Sequence, residues 1–250
     1  MNENEQPIVI IGGAGLIGRT FVTSCRDEGY KVIVFDLCDE KTWNGHDIEC
    51  ELFVQVDINN PNSLAEAIRV VVNEYISIAC VVNASYPKNK NYGTAPLDLN
   101  IEDFNQNINL HIGGYFLVMK IFSKLFIDQQ YGNIINIASI QGIVAPKFEH
   151  YKGTEIISPL EYTASKSAII AMSRYMAKYL SGKNIRINCI SPGGIKDKQS
   201  DIFLRQYKSS CTSKGMLDPK DIVGTLLFLL SDYAKYINGQ NIIVDDGWSL

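Results

Sequence analysis

Short runs of consecutive apolar residues alternate along this chain with longer stretches in which apolar positions recur every three or four residues. Residues 7–11 (PIVII) form the first run, stopped by Gly12-Gly13-Ala14-Gly15-Leu16-Ile17-Gly18, after which helical spacing carries through Cys25. Residues 32–35 make a second strand ending at Asp36, and residues 52–56 a third followed by Asp57, with a loop holding Trp43 and His46 between them. Asn60-Pro61-Asn62-Ser63 carries helix-start signals for residues 64–74. A fourth strand, 78–82, ends at Asn83-Ala84-Ser85, and the polar loop YPKNKNYGTAP follows. A long helix is expected over 101–129, then a strand over 133–138 and a helix running from Tyr162 to about residue 180. A strand at 185–190 ends at Ser191-Pro192-Gly193-Gly194, residues 195–217 are the most polar long stretch, and an apolar helix (219–230) and a last strand (241–244) close the chain.

Strands of this kind, interleaved with helices, predict a parallel sheet covered on both faces. The expected architecture is α/β: one Rossmann-type, doubly wound domain over residues 1–250, with about seven strands and helices on both faces. In such sheets ligands sit beyond the carboxyl ends of the strands, and the glycine turn, Asp36, Asp57, Asn83, Ser139 and Pro192 all fall at strand ends.

Composition narrows the function. The chain of 250 residues is 46% hydrophobic and 20% charged, and its formal net charge of -4 supplies no basic footprint for nucleic acid or an anionic membrane. No apolar run is expected to span a membrane, and the polar start MNENEQP lacks the basic flank and apolar core of a signal peptide, so a cytoplasmic protein is expected. Cysteines 25, 38, 50, 80, 189 and 211 form no C-x-x-C pair and read as reduced and structural. No metal site is expected.

Two groups of residues carry chemistry. Gly12, Gly15 and Gly18 stand between a first strand and a helix, where the N–H groups around Leu16 and Ile17 can meet a pyrophosphate. Asp36, eighteen residues after Gly18, can accept hydrogen bonds from an adenosine ribose and repel a 2′-phosphate, which favours NAD over NADP; Arg19 weighs slightly the other way. Tyr162 and Lys166 are four apart, one helical turn, so a neighbouring ammonium would draw the phenol's pKa down toward the working range. Taken alone, such a pair is more readily read as an amphipathic helix face.

With these residues in place the chain resembles the short-chain dehydrogenases/reductases along nearly its whole length, through the glycine turn, Asp57, V-V-N-A, I-I-N-I-A-S, Y-T-A-S-K, I-N-C-I-S-P-G-G and Y-I-N-G-Q…V-D-D-G. The resemblance implies that Ser139 polarises the substrate oxygen, Tyr162 is the acid/base, and Lys166 lowers its pKa and holds the nicotinamide ribose. Asp57 and Ile58 would flank adenine, Asn83 and Ala84 would line the cofactor, Pro192 and Gly193 would border it, and Ile195 would meet the carboxamide. It also implies a homodimer or homotetramer. Ser85 departs from the family's usual Gly. Where the family has an Asn that holds a relay water, counting seven on from Phe104 and five back from Phe116 lands on His111, with Asn109 two residues off that face.

Ser139 and Tyr162 are twenty-three apart, about ten more than is usual for the family. Tyr151 is the nearer alternative, but Glu155 takes the lysine position, and Gly153 and Pro159 argue against a helix there. The surplus, near residues 144–159, is expected to be a loop over the substrate, its Lys147, Glu149, His150, Lys152 and Glu155 available to a hydroxyl-rich ligand. That loop and K-G-M-L-D-P resemble dehydrogenases of bacterial flagellin-modification and nonulosonic-acid clusters, implying a sugar, sugar derivative or sugar phosphate as substrate. The rival readings are a reductase of acyl or other small ketones and a catalytically silent nucleotide-binding regulatory protein.

Overall fold

The computed structural model describes residues 6–250; residues 1–5, part of the polar start considered above, lie outside the described residues. Seven strands, β1 (Ile8–Ile11), β2 (Val32–Asp36), β3 (Leu52–Gln55), β4 (Cys80–Asn83), β5 (Gly132–Ile137), β6 (Ile185–Pro192) and β7 (Asn241–Val244), pair in parallel in the order β3-β2-β1-β4-β5-β6-β7. The order reverses between β1 and β4, the place where an open parallel sheet leaves a crevice at its carboxyl edge. Register brings Ile11 level with Phe35 and Asn83, and Asn83 level with Asn136.

Strand side chains alternate between two layers, as a pleated backbone requires. From β1, Ile8 and Ile10 pack with Phe21 and Val22 of α1 (Leu16–Asp27) and with Leu226 and Leu229 of α8 (Val223–Leu230). Val9 and Ile11 face the other way, toward Leu64 and Val71 of α3 (Pro61–Tyr75) and Phe122 and Phe126 of α5 (Gly114–Gln129). Each such side chain withdrawn from water contributes about 1.5–3 kcal/mol, which is why the strands need no polar alternation. Between β2 and β3 the loop expected around Trp43 holds a short helix, α2 (Glu40–Asn44), capped by the Asp39 carboxylate accepting the Thr42 N–H.

The long helix expected over 101–129 is interrupted. It runs as α4 (Ile101–Ile108), a π-helical turn at Asn109–Gly113, then α5. Contrary to expectation, this stretch, Ile101–Gln129, is long and apolar enough to cross a membrane by length and composition. Its apolarity serves the core instead: Tyr115, Val118, Met119, Phe122 and Phe126 are wholly buried, with Lys120 and Lys124 exposed. α6 (Leu160–Tyr179) starts two residues ahead of Tyr162, directly after Pro159, a residue suited to a helix start. The polar stretch 195–217 contains a helix the pattern did not show, α7 (Asp201–Lys208), whose buried side is only Phe203 and Tyr207.

Candidate active site

The glycine turn is shaped by how closely backbone passes backbone. Gly12 has φ +77°, and a Cβ there would lie 2.8 Å from the Ala84–Ser85 backbone; a Cβ on Gly18 would lie 2.0 Å from the Gly12 carbonyl. Gly15 caps α1 without a side chain, and the first helical bond runs from the Arg19 N–H to the Gly15 carbonyl (2.9 Å). The N–H groups of Leu16, Ile17 and Gly18 therefore precede the ladder, no acid occupies the first turn, and the helix end suits an anion. Asp36 is fixed from both sides, Oδ2 accepting the Ala14 N–H (2.9 Å) and Oδ1 the Cys38 N–H (3.0 Å). Gly12, Gly15, Asp36, Asp57, Ile58 and Ala84 line one cavity of about 610 Å³.

A second cavity, about 560 Å³, shares Gly15, Ala84, Ser85 and Tyr86 with the first and continues it past Ser139, Tyr162, Lys166, Pro192, Gly193 and Ile195; Leu16, Ile17 and Gly18 also reach it. Asn83 lies wholly buried beneath the join. Its Oδ1 accepts the Ser85 N–H (3.2 Å) and hydroxyl (2.6 Å), a use for the serine that replaces glycine there. The paired cavities suit a dinucleotide: free helix N–H groups, a fixed carboxylate and a cradle that added Cβ atoms would fill.

In the second cavity Ser139 leaves β5 in extended conformation, and its Oγ accepts the Gln141 N–H (3.1 Å), keeping its own proton free to donate. Lys166, 3% exposed, donates from Nζ to the Ile137 carbonyl (2.8 Å) and stands 5.5 Å from the Tyr162 ring centroid. Burial pushes its ammonium down to about 7. The electrostatics differ here from the spacing argument. Burial pushes the Tyr162 phenol up, the nearby Ser139 hydroxyl pulling the other way, and the lysine does not draw it down. Two groups sharing one dry floor each disfavour their charged forms, and a lysine near neutrality is a weak source of positive charge.

His111 sits in the π turn, 2% exposed, with its ring 5.3 Å from Tyr86 and 5.5 Å from Tyr115; Lys166 Nζ lies over the same two rings. Burial, then the Lys166 charge, hold its pKa down to about 2, so it is neutral, and its Nε2 has no partner. Asn109 is exposed and faces away. One turn before His111, Asn107 donates to the fully buried Glu161 (3.1 Å) and accepts the Asn89 N–H (2.9 Å).

That tie explains residues the sequence reading passed over. Asn89 and Asn91 are also pinned to Asp103 (2.7 and 2.8 Å), folding the loop after β4 back so that Tyr86 lies edge-on to Tyr162 (5.6 Å) and its hydroxyl meets that of Tyr92 (2.6 Å). Lys88 lies over both rings. The signal was two tyrosines flanking lysines directly after the Asn83 strand.

The inserted loop departs from expectation. Its charged residues do not line the cavity: Lys147 donates to the Trp248 carbonyl (2.8 Å), His150 is buried between Trp248 and Ser210, and Glu149, Lys152 and Glu155 are exposed. The loop instead presents Tyr151, Ile156 and Ser158, with the Ser158 hydroxyl donating to Gln141 Oε1 (3.0 Å). Lys147 and His150 are used against Trp248, about a hundred residues away, a separation no local pattern carries. Among the described residues no His, Cys, Asp and Glu are grouped to hold a metal ion.

Residues 13–249 match a family model described as enoyl-(acyl carrier protein) reductase. The chain is 41% identical to post-translational flagellin modification protein A of Campylobacter coli, over 98% of this chain and 99% of that one, and 30% identical to 7alpha-hydroxysteroid dehydrogenase of Bacteroides fragilis, over 100% and 97%. Among solved structures, a short chain dehydrogenase from Leptospira borgpetersenii with bound NAD+ superposes with a TM-score of 0.86 at 29% identity, covering 98% of this chain and 93% of that one.

Proposed function

The chain belongs to the short-chain dehydrogenase/reductase family, an oxidoreductase acting on CH–OH groups, and from that premise we propose that it interconverts a secondary alcohol and a ketone on a sugar or sugar derivative, with NAD rather than NADP. The observation carrying this reading is that Ser139, Tyr162 and Lys166 meet in a cavity continuous with the one around the glycine turn and Asp36, with the buried His111 ring packed against Tyr86 and Tyr115. A bound nicotinamide dinucleotide supplies the hydride acceptor or donor. Leu16, Ile17 and Gly18 would hold its phosphates by their N–H groups, and Asp36 would take its ribose hydroxyls.

The Ser139 hydroxyl donates to the substrate oxygen. Tyr162 exchanges the proton of that oxygen, and Lys166, able to change charge near neutrality, passes the proton on. Neutral His111 offers Nε2 to a water, doing the work of the amide the family places there. Support for a sugar comes from the likeness to the flagellin modification protein and from the Tyr151–Gln141–Ser158 wall, which is polar and uncharged.

Turnover with NAD+ across aldoses, N-acetylated hexosamines, uronic acids and sugar phosphates, with an acetoacetyl thioester plus NADH as the rival arm, tests the reading. Preferred reduction of the thioester replaces the sugar by an acyl chain. Binding of NADH with no turnover of any member makes the chain a silent nucleotide binder.

A further inference from the structure

Arg19 lies in the first turn of α1, and among the described residues it makes no ion pair. Its guanidinium Nη1 instead donates to Nδ1 of His46 at 2.8 Å. An arginine has no acceptor, so in this pair Nδ1 is the acceptor. The ring is held in place: the His46 N–H donates to the Trp43 carbonyl (2.9 Å), and the imidazole stands edge-on to the buried Trp43 (6.3 Å), which stacks on Phe53 (5.7 Å).

His46 lines the same cavity as Asp36, whereas Arg19 does not reach it. The imidazole thus stands between the guanidinium and the acidic end of the cavity. In dinucleotide sites of this architecture a carboxylate takes the ribose hydroxyl, and a nearby arginine accommodates a 2′-phosphate. Here the carboxylate is locked in place by the Ala14 and Cys38 N–H groups, and the arginine is withheld.

We propose that His46 is a cofactor-specificity residue, which keeps Arg19 out of the dinucleotide cavity so that preference for NAD over NADP rests on Asp36 and His46 together. The proposal rests on the dehydrogenase reading above, because it takes that cavity to hold a nicotinamide dinucleotide.

The test is binding alone: fluorescence titration of NADH and NADPH against wild type, His46→Ala, Arg19→Ala and the double variant. His46→Ala raises the ratio of NADPH to NADH affinity by about tenfold or more, the size of one charge-assisted hydrogen bond that Arg19 no longer has to give up. The double variant returns the ratio to the wild-type value, and Arg19→Ala alone leaves it little changed. An unchanged ratio in His46→Ala, a rise that survives loss of Arg19, or a large fall in Arg19→Ala alone each overturn the proposal. A wild type that binds neither dinucleotide overturns the dehydrogenase reading itself, a result distinct from the other three.

Discussion

The half of the trough beside β1 and β2 is made of backbone at close quarters, whereas the half beyond β5 is made of side chains delivered by four separate segments. In the first, Gly12, Gly15 and Gly18 come from one turn, and the groups offered to a ligand are N–H donors and a carboxylate locked by other N–H groups. In the second, Tyr86, Gln141, Tyr151 and Phe203 arrive from the loop after β4, the turn after β5, the insertion and α7. The first half has few degrees of freedom and suits an invariant ligand. The second can be rebuilt one segment at a time without disturbing the first, which is how one fold serves many alcohols.

Breaking each half in turn sharpens this contrast. The largest effect is expected at the join. Tyr162→Phe removes one hydroxyl at nearly constant volume, and kcat should fall about 10²–10⁴-fold while NADH binding changes little. Tyr151→Phe, on the wall, should leave the chemical step nearly intact; the reverse pattern in steady-state kinetics would move the acid/base into the insertion. Next comes Gly18→Ala. A Cβ placed 2.0 Å from the Gly12 carbonyl must displace the turn, so NADH affinity should drop roughly tenfold to a hundredfold and the melting temperature should fall by several degrees. Unaltered NADH titration would separate the glycine turn from cofactor binding.

Gln141→Leu acts only on the other half. Losing the amide that links Ser158 and Tyr151 should raise substrate KM by roughly five- to tenfold, the worth of about one hydrogen bond, with NADH affinity untouched. Parallel changes in both constants would show the halves to be coupled.

The smallest effect concerns stability. Lys166→Met removes a buried ammonium, and the Ile137 carbonyl keeps the Tyr115 hydroxyl (3.2 Å) as partner. The melting temperature should rise roughly 2–4 °C, the equivalent of about 1 kcal/mol, while turnover is lost. The pH dependence has a definite sign. Because the folded-state pKa is about 7 against an ordinary 10.5, the folded protein binds fewer protons than the unfolded chain between those values. The lysine's penalty is therefore full below pH 7 and fades as pH rises toward 10.5. The gain in the Met variant should be larger at pH 6 than at pH 9 in thermal melts, and a gain independent of pH would assign it to packing alone.

The same contrast separates what the sequence disclosed from what it concealed. Strand ends and glycines follow from local rules, so the sheet, the turn and Asp36 could be placed by pattern, helical counting put Tyr162 and Lys166 one turn apart, and His111 was reached only through the family resemblance. Tyr86 and Tyr92 could not be placed, because their position depends on Asn89 meeting Asp103 and Asn107 on another element. The insertion was misread for the same reason. Charge suggests a surface facing ligand or water, but Lys147 and His150 are matched to Trp248, far along the chain. The phenol's electrostatics were misjudged because spacing says nothing of burial, and burial dominates both partners.

The π turn at Asn109–Gly113 amounts to one surplus residue threaded into an otherwise continuous helix. The wider turn takes up that residue without changing the phase of the helix on either side, so deleting it would restore regular winding and leave α4 and α5 facing as they do now, whereas the same deletion inside α4 would turn the residues before it by roughly 100° about the axis. Asn107 would keep its bond to Glu161 and the tyrosine-bearing loop its anchor, and what would go is the wide turn that carries His111 with its unpartnered Nε2. One residue gained or lost here therefore resets the surroundings of His111 while the aromatic wall stays where it is, so the two can vary separately.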